Sequence, residues 1–330
     1  KIFRLAVHSK NPIIIFLNTF YLFFIILLYN IDIVHARSRA PAWSCLFACF
    51  FSRRKFVTTF HGTYSFSGKF KHFYNSVMVR SNLVIAGSNF IFNHIKENYG
   101  QYLNLRNKLM VIFRGINLEY FNKQNISSSQ KEKISFEWKI DVSKKVILLP
   151  GRLTSWKGQD LFVEALNIMR EDYNQNNFQA IILGSNQGRN VYSKKLFALV
   201  QRYQLNNYVK FISHCKEMPA AYALADIIIS SSVKPEAFGR VAVEAQAMEK
   251  PILASDIGGS KETIVNGKSG ILFKSGDPRE LAREINNLME LDKDALYYMG
   301  NQGRKNVTRK FNVENMCQTT LNEYKKILKI

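Results

Sequence analysis

At 330 residues, 47% hydrophobic and 22% charged, the chain is long enough for two buried cores and falls outside the disordered and fibrous classes. Its four cysteines, Cys45, Cys49, Cys215 and Cys317, form no C-x-x-C pair and no metal spacing with histidine, which argues against a zinc or disulfide scaffold and suits a reduced, cytoplasmic setting. A formal charge of +21 admits nucleic acid, an anionic membrane surface or phosphorylated small molecules as partners, but Lys and Arg are scattered in pieces such as "SRRK" and "KKILK" with no basic arm, which places nucleic acid last and leaves part of the charge to compositional bias.

The chain opens on Lys, in "KIFRLAVHSKNP", which points to processing or to a fragment. Residues 11–30, "NPIIIFLNTFYLFFIILLYN", carry no charge and approach the roughly 20 residues of a spanning helix. Asn18, Thr19 and the helix-starting Pro12 shorten the strongly apolar run, and the buried-strand pattern "DIVHA" follows at once. A helix packed on the sheet is expected, with an interfacial or spanning helix as the alternatives.

From residue 31, short β-branched runs alternate with stretches of helical period, the pattern of a parallel α/β architecture. The expected strands are "DIVHA", "KFVTTF", "NLVIAGS" and "LMVIF", then "KVILLPG", "QAIILGS", "VKFIS", "DIIISSS", "PILAS" and "GILF". The polar, Ser- and Lys-rich stretch between the two sets marks a boundary. The expected division is an N-terminal domain over 1–120, a linker over 121–143, a C-terminal domain over 144–312, and a final helix over 313–330 that crosses back to the first domain.

Ligands of open parallel sheets sit beyond the carboxyl ends of the strands, where turns present backbone N–H groups and helix N-termini. In "LLPGRLTSWKGQDLFVEAL" a strand ends at Gly151, and Arg152 and Lys157 follow before the helix. Paired cations near a helix start either hold a diphosphate or are ordinary surface charges working against the helix dipole. In "SSSVKPEAFGRVAVEAQAM", Glu236 lies in the turn after a strand, Phe238 and Gly239 open a helix, and Glu244 falls inside it. Gly239 permits close backbone approach, and two carboxylates so spaced can each accept from the hydroxyls of a sugar ring. The alternatives are a capping carboxylate for Glu236 and an ion pair for Glu244, although the apolar neighbours of Glu244 require it to have a partner. In the first half, His61 in "FVTTFHGTY", Arg37 and Arg39 in "VHARSRAPAW", and Arg114 in "VIFRGIN" also lie at strand ends, where a structural histidine and solvated arginines are the alternatives.

"GRLTSWKG", "PEAFGRVAVEAQAM", "KPILASDIGGSKETI" and "NGKSGILF" resemble consecutive donor-site motifs of retaining glycosyltransferases of family four. The resemblance covers nearly the whole chain. It implies the GT-B fold, two Rossmann-like domains whose parallel sheets face each other across a cleft, and sugar transfer with retention from a nucleotide diphosphate sugar to an acceptor hydroxyl. Under it, Glu236 and His61 serve the donor sugar as catalytic residues, Glu244 the ribose, and Arg152 with Lys157 the diphosphate. The backbone at Phe238 and Gly239 faces sugar and phosphate, while Arg37, Arg39 and Arg114 face acceptor or donor. No metal and no further cofactor is implied. A glycan or lipid-linked acceptor in envelope glycan or lipopolysaccharide synthesis, at the inner face of the cell membrane, suits the charge and the apolar first helix.

Departures from the family pattern accompany this. The glycine-rich loop after the family's first strand has no counterpart, as in an N-terminally truncated chain, and Glu249, Ser213 and Asn117 replace the usual glycine, glycine and aspartate. A non-catalytic remnant or nucleotide-sugar-binding protein is therefore the rival reading. A nicotinamide enzyme ranks third, because no G-x-G-x-x-G follows any strand.

Overall fold

The computed structural model describes residues 2–7, 9–64, 68–103 and 108–330. The chain forms two units, residues 1–114 with 314–330, and residues 115–313.

Unit 1 opens with α1 (Pro12–Leu28), whose start is set by Pro12 and by the Asn11 side chain accepting from the Ile13 amide. Then come β1 (Ile33–Ala36), α2 (Arg39–Ser52), β2 (Lys55–Phe60), α3 (Lys69–Asn75), β3 (Leu83–Ala86), α4 (Asn89–Tyr99) and β4 (Lys108–Val111). The strands pair in parallel in the order β1-β2-β3-β4, and β3 is buried throughout, as a strand covered on both faces must be.

Helix α1 packs on α2, not chiefly on the sheet as its sequence suggests. Its buried residues include Asn18 and Thr19, whose side chains donate to the carbonyls of Ala6 and Ile15, and Ser44 of α2 donates to Ile15 as well. Phe16, Leu17, Phe20, Tyr21, Phe24 and Leu28 are left exposed. Among the described residues no helix is long and apolar enough to cross a membrane.

Unit 2 is built of α5 (Ser128–Trp138), β5 (Lys145–Pro150), α6 (Gln159–Tyr173), β6 (Phe178–Leu183), α7 (Asn190–Arg202), β7 (Val209–Ile212), α8 (Met218–Leu224), β8 (Ile227–Ser230), α9 (Arg240–Ala247), β9 (Ile252–Ser255), α10 (Ser260–Thr263), β10 (Ile271–Phe273), α11 (Pro278–Glu290) and α12 (Lys293–Lys310). All strands are parallel, in the order β10-β9-β8-β5-β6-β7. The chain therefore winds outward from β5 in one direction and then from β8 in the other, and the reversal lies between β5 and β8. Its core joins Ile147, Phe162, Phe178 and Ile229 with Leu281 and Ile285 of α11.

Residues 121–143, whose composition reads as a linker, contain α5 and belong to unit 2. A reciprocal Ser127 and Gln130 cap starts that helix, and it buries Ile134 and Trp138. Two apolar anchors dock a helix whose other residues are mostly polar, with Phe136 left exposed.

The chain passes from unit 1 to unit 2 at Gly115 and back at Val313, and these two passes lie side by side. The Ile116 amide donates to Phe311, and the Val313 amide donates to Ile116. A Cβ at Gly115 would lie 2.4 Å from the Val313 Cα, so only glycine fits. The last helix, α13 (Val313–Leu328), places Met316, Tyr324 and Ile327 against the unit 1 core of Val57, Leu83, Ile85 and Ile112. Its Glu323 accepts from Lys108 at 2.6 Å.

Candidate functional site

In unit 2 the turns after β5, β8 and β9 meet at the reversal of strand order, the place where an open parallel sheet leaves a crevice. The first two are joined backbone to backbone. The Val233 amide donates to Trp156 at 2.9 Å, and the Ser231 hydroxyl donates to Gly158 at 2.8 Å. Gly158 has φ +67°, and a Cβ there would stand 2.0 Å from the Ser231 carbonyl oxygen, so the close approach requires its glycine. The third turn clasps the second from its other side. The Gly259 amide donates to the Glu236 carbonyl at 2.8 Å, and a Cβ at Gly259 would lie 2.5 Å from the Phe238 Cα.

These contacts bring Lys157 and Glu236 together. The Lys157 ammonium is 2.7 Å from Glu236 Oε1, with both side chains mostly buried, and stands over the Trp156 ring. The Ser232 hydroxyl donates to the same carboxylate oxygen at 2.5 Å. Arg152 is exposed at the tip of the same turn, and its guanidinium has no ion-pair partner among the described residues. Gly239, at φ +79°, precedes α9, and among the described residues no side chain caps that N-terminus. The Phe238 ring is buried edge-on against Phe311, which leaves the backbone of the turn as the part able to meet a ligand.

Glu244 is buried inside α9 and has two partners. Tyr222 of α8 donates to its Oε2 at 2.7 Å, and Arg240, one turn earlier and largely exposed, donates to Oε1 at 2.6 Å. Burial, followed by the Glu244 charge, drives the Tyr222 phenol well above its ordinary range, so Tyr222 is a fixed donor that aims the carboxylate. The i,i+4 ion pair considered from sequence is present; Tyr222 is the partner that sequence reasoning missed, as it did Ser232 and Trp156. A tyrosine among the small residues of "PAAYALAD" is the signal that points to a buried phenol needing an acceptor.

Unit 1 gathers a second group at its strand ends. Arg37 Nε donates to His61 Nε2 at 3.2 Å. Arg114 lies beside Gly87, where a Cβ would meet its Cγ at 3.2 Å. Burial first, then the charges of Arg114, Arg37 and His35, lower the His61 imidazole to about 4, so it is neutral near pH 7. With Nε2 accepting, Nδ1 carries the proton, and that atom is buried without a partner among the described residues. Arg39 is held elsewhere, donating to Asn75 at 2.8 Å with its guanidinium 4.4 Å from the Tyr64 ring centre. His35, which sequence reasoning passed over, lies under this group between Tyr324 (2.5 Å) and Thr59 (2.7 Å) and is likewise lowered to about 4, by burial and Arg37.

Among the described residues no three His, Cys, Asp or Glu side chains gather where they could hold a metal ion. What unit 2 offers is two cations, a helix N-terminus and two oriented carboxylates, groups suited to a diphosphate flanked by hydroxyl-bearing rings.

Residues 130–306 match the family described as glycosyl transferases group 1, and residues 2–120 match glycosyltransferase family 4. A crystal structure of a glycosyltransferase from Rickettsia africae is 36% identical, with a TM-score of 0.90 over 99% of this chain and 85% of that one. HepE of Anabaena, crystallised with UDP-glucose, is 25% identical with a TM-score of 0.80 over 93% of this chain and 82% of its own. An uncharacterized glycosyltransferase of Methanocaldococcus jannaschii is 31% identical over 66% of this chain but 54% of its own length, and several other curated relatives are likewise matched over little more than half of theirs.

Proposed function

Because the chain belongs to the group 1 glycosyl transferases and has their GT-B fold, we propose that it transfers a sugar from a nucleotide diphosphate sugar to an acceptor hydroxyl, with retention at the anomeric carbon. The observation that carries this reading is the meeting of Lys157, Glu236, Gly239 and the α9 N-terminus at the strand-order reversal. Arg152, Lys157 and the free N–H groups of α9 stabilise the leaving diphosphate electrostatically. Glu236 accepts from hydroxyls of the donor sugar, and Glu244, aimed by Tyr222, accepts from the ribose. His61, whose imidazole is neutral near pH 7, is assigned to the donor sugar on the family resemblance. The UDP-glucose complex of HepE makes UDP-glucose the donor to try first.

Calorimetry separates the two carboxylates. Glu244→Gln should weaken UDP and UDP-glucose equally, whereas Glu236→Gln should weaken UDP-glucose alone. Equal losses at Glu236 for both ligands would remove the sugar from its assignment. Tight binding without transfer to any acceptor would instead favour a nucleotide-sugar-binding protein.

For the acceptor we infer a glycan or lipid-linked hydroxyl presented at an anionic membrane, in envelope glycan or lipopolysaccharide synthesis. The exposed stripe of α1, with Phe50 and Phe51 of α2 and the flanking Lys10, Arg53 and Arg54, supports attachment at the lipid interface. At 17 residues α1 is about 26 Å long, short of a roughly 30 Å hydrocarbon core. Membrane-bound protein should be released by high salt or alkaline carbonate; retention through both washes until detergent is added would overturn the interfacial reading.

A further inference from the structure

A cavity of about 490 Å³ opens on unit 2 at the amino ends of β5, β8 and β9, lined by Lys145 at the start of β5, Asp226 before β8 and Pro251 before β9. The crevice at the strand-order reversal lies at the other end of the same strands, about 20 Å away over the six residues of β5. Five lysines line the cavity, Lys123, Lys131, Lys145, Lys250 and Lys293, against the carboxylates of Asp226 and Glu249. Glu249 is already paired with Lys123, and Asp226 accepts from the Val146 amide at 2.8 Å. Lys131, Lys145 and Lys293 have no ion-pair partner among the described residues.

Lys250 is the buried member. It donates to the Ala223 carbonyl at 3.0 Å, and burial lowers its ammonium to about 8, with Lys131 and Lys123 adding to the fall and Asp226 and Glu249 opposing it. An excess of three positive charges around a recessed space is unfavourable until an anion enters. Ammonium groups on flexible stems suit the oxygens of a phosphate. Beside them Ile126, Met248, Leu296 and the Tyr297 ring form an apolar wall with room for an organic body. We propose that this cavity binds a small phosphomonoester, its dianionic phosphate held by Lys131, Lys145 and Lys250, at a site separate from the nucleotide crevice.

Calorimetry of the full chain with glycerol 3-phosphate at constant ionic strength tests this. Lys131→Ala/Lys145→Ala should weaken binding by about tenfold or more, the loss of two charge-assisted contacts. Arg152→Ala/Lys157→Ala, in the nucleotide crevice, should leave it unchanged. So should Lys71→Ala/Lys325→Ala, which removes the same net charge from unit 1. Titration at pH 8 in buffers of different ionisation heat should also show proton uptake on binding, absent in Lys250→Met, because a bound dianion restores the Lys250 ammonium. No binding, a loss confined to the crevice variant, or an equal loss in the unit 1 variant would overturn the proposal.

Discussion

The two groups of strand-end residues differ in how their charges are balanced. In unit 2 each carboxylate has protein partners in place, Lys157 and Ser232 on Glu236, Tyr222 and Arg240 on Glu244. In unit 1 His61 is kept neutral by burial first and then by the arginines Arg114 and Arg37 beside it. Their backbones differ in the same sense. The unit 2 turns touch through glycines that admit no Cβ, whereas Gly62, next to His61, has nothing among the described residues within 4 Å of where a Cβ would go. Unit 2 thus carries a preorganised crevice for a charged ligand and unit 1 an open, cationic turn, and preorganised electrostatics are what lower a barrier without reorganisation during the reaction.

The largest expected effect tests the backbone half of this contrast. Gly158→Ala should cost roughly 2 to 6 kcal/mol, combining left-handed strain with forced displacement of the Ser231 backbone, while Gly62→Ala should stay within about 0.5 kcal/mol. Chemical unfolding of both variants measures it, and similar costs would erase the distinction. Next comes the charge half. Arg152→Ala and Lys157→Ala should each weaken UDP by about 1.5 to 3 kcal/mol, the range for charge-assisted hydrogen bonds. Arg37→Ala should change it by less than about twofold, or ~0.4 kcal/mol. A loss at Arg37 equal to that at Arg152 would show that the diphosphate is not held by unit 2 alone.

Acid should act on unit 1 through its histidines. His35 and His61 have folded values of about 4 against an unfolded 6.5. Between those values the unfolded chain binds protons that the folded chain refuses, so their contribution is fully present above pH 6.5 and is lost as pH falls toward 4. Unfolding curves from pH 7 to pH 4.5 should show a shallower fall for His61→Asn than for the parent, and identical slopes would mean that His61 titrates normally.

The smallest effect compares two helix ends. Arg53 after α2 and Glu249 after α9 both have φ near +55°, a conformation that favours glycine by up to about 1 kcal/mol. Arg53→Gly should gain most of that. Glu249→Gly should gain less, because it gives up the pair with Lys123. A larger gain at Glu249, measured by thermal unfolding, would show that pair to be worth nothing.

The strands were legible because runs such as "NLVIAGS" and "KVILLPG" are buried on both faces and read as continuous apolar β-branched segments. Helix α5 was hidden by its composition, although the Ser127 to Gln130 spacing of its cap lay in plain view. Arg152, Lys157, Glu236 and Glu244 could each be singled out locally, but the contact between Lys157 and Glu236 depends on β5 and β8 being neighbours, a matter of strand order that no local pattern carries. Tyr222 and Glu244 meet from different helices, and His35 meets Tyr324 across 289 residues, so neither contact has a sequence period. In α1 the nearly continuous apolar run could not say which side is buried; that side holds Asn18 and Thr19, which bond to nearby carbonyls, while an apolar stripe stays outside.

The return of α13 to unit 1 has a consequence for synthesis. Met316, Tyr324 and Ile327 complete a core whose other members, Val57 to Ile112, leave the ribosome roughly two hundred residues earlier. Unit 2 is continuous and can fold as it emerges, whereas unit 1 must wait with Ile85 and its neighbours incompletely covered until residues 314–328 exist. The half made first is therefore finished last, and in that interval the nascent chain depends on chaperones or on the speed of translation to keep an apolar sheet face from aggregating.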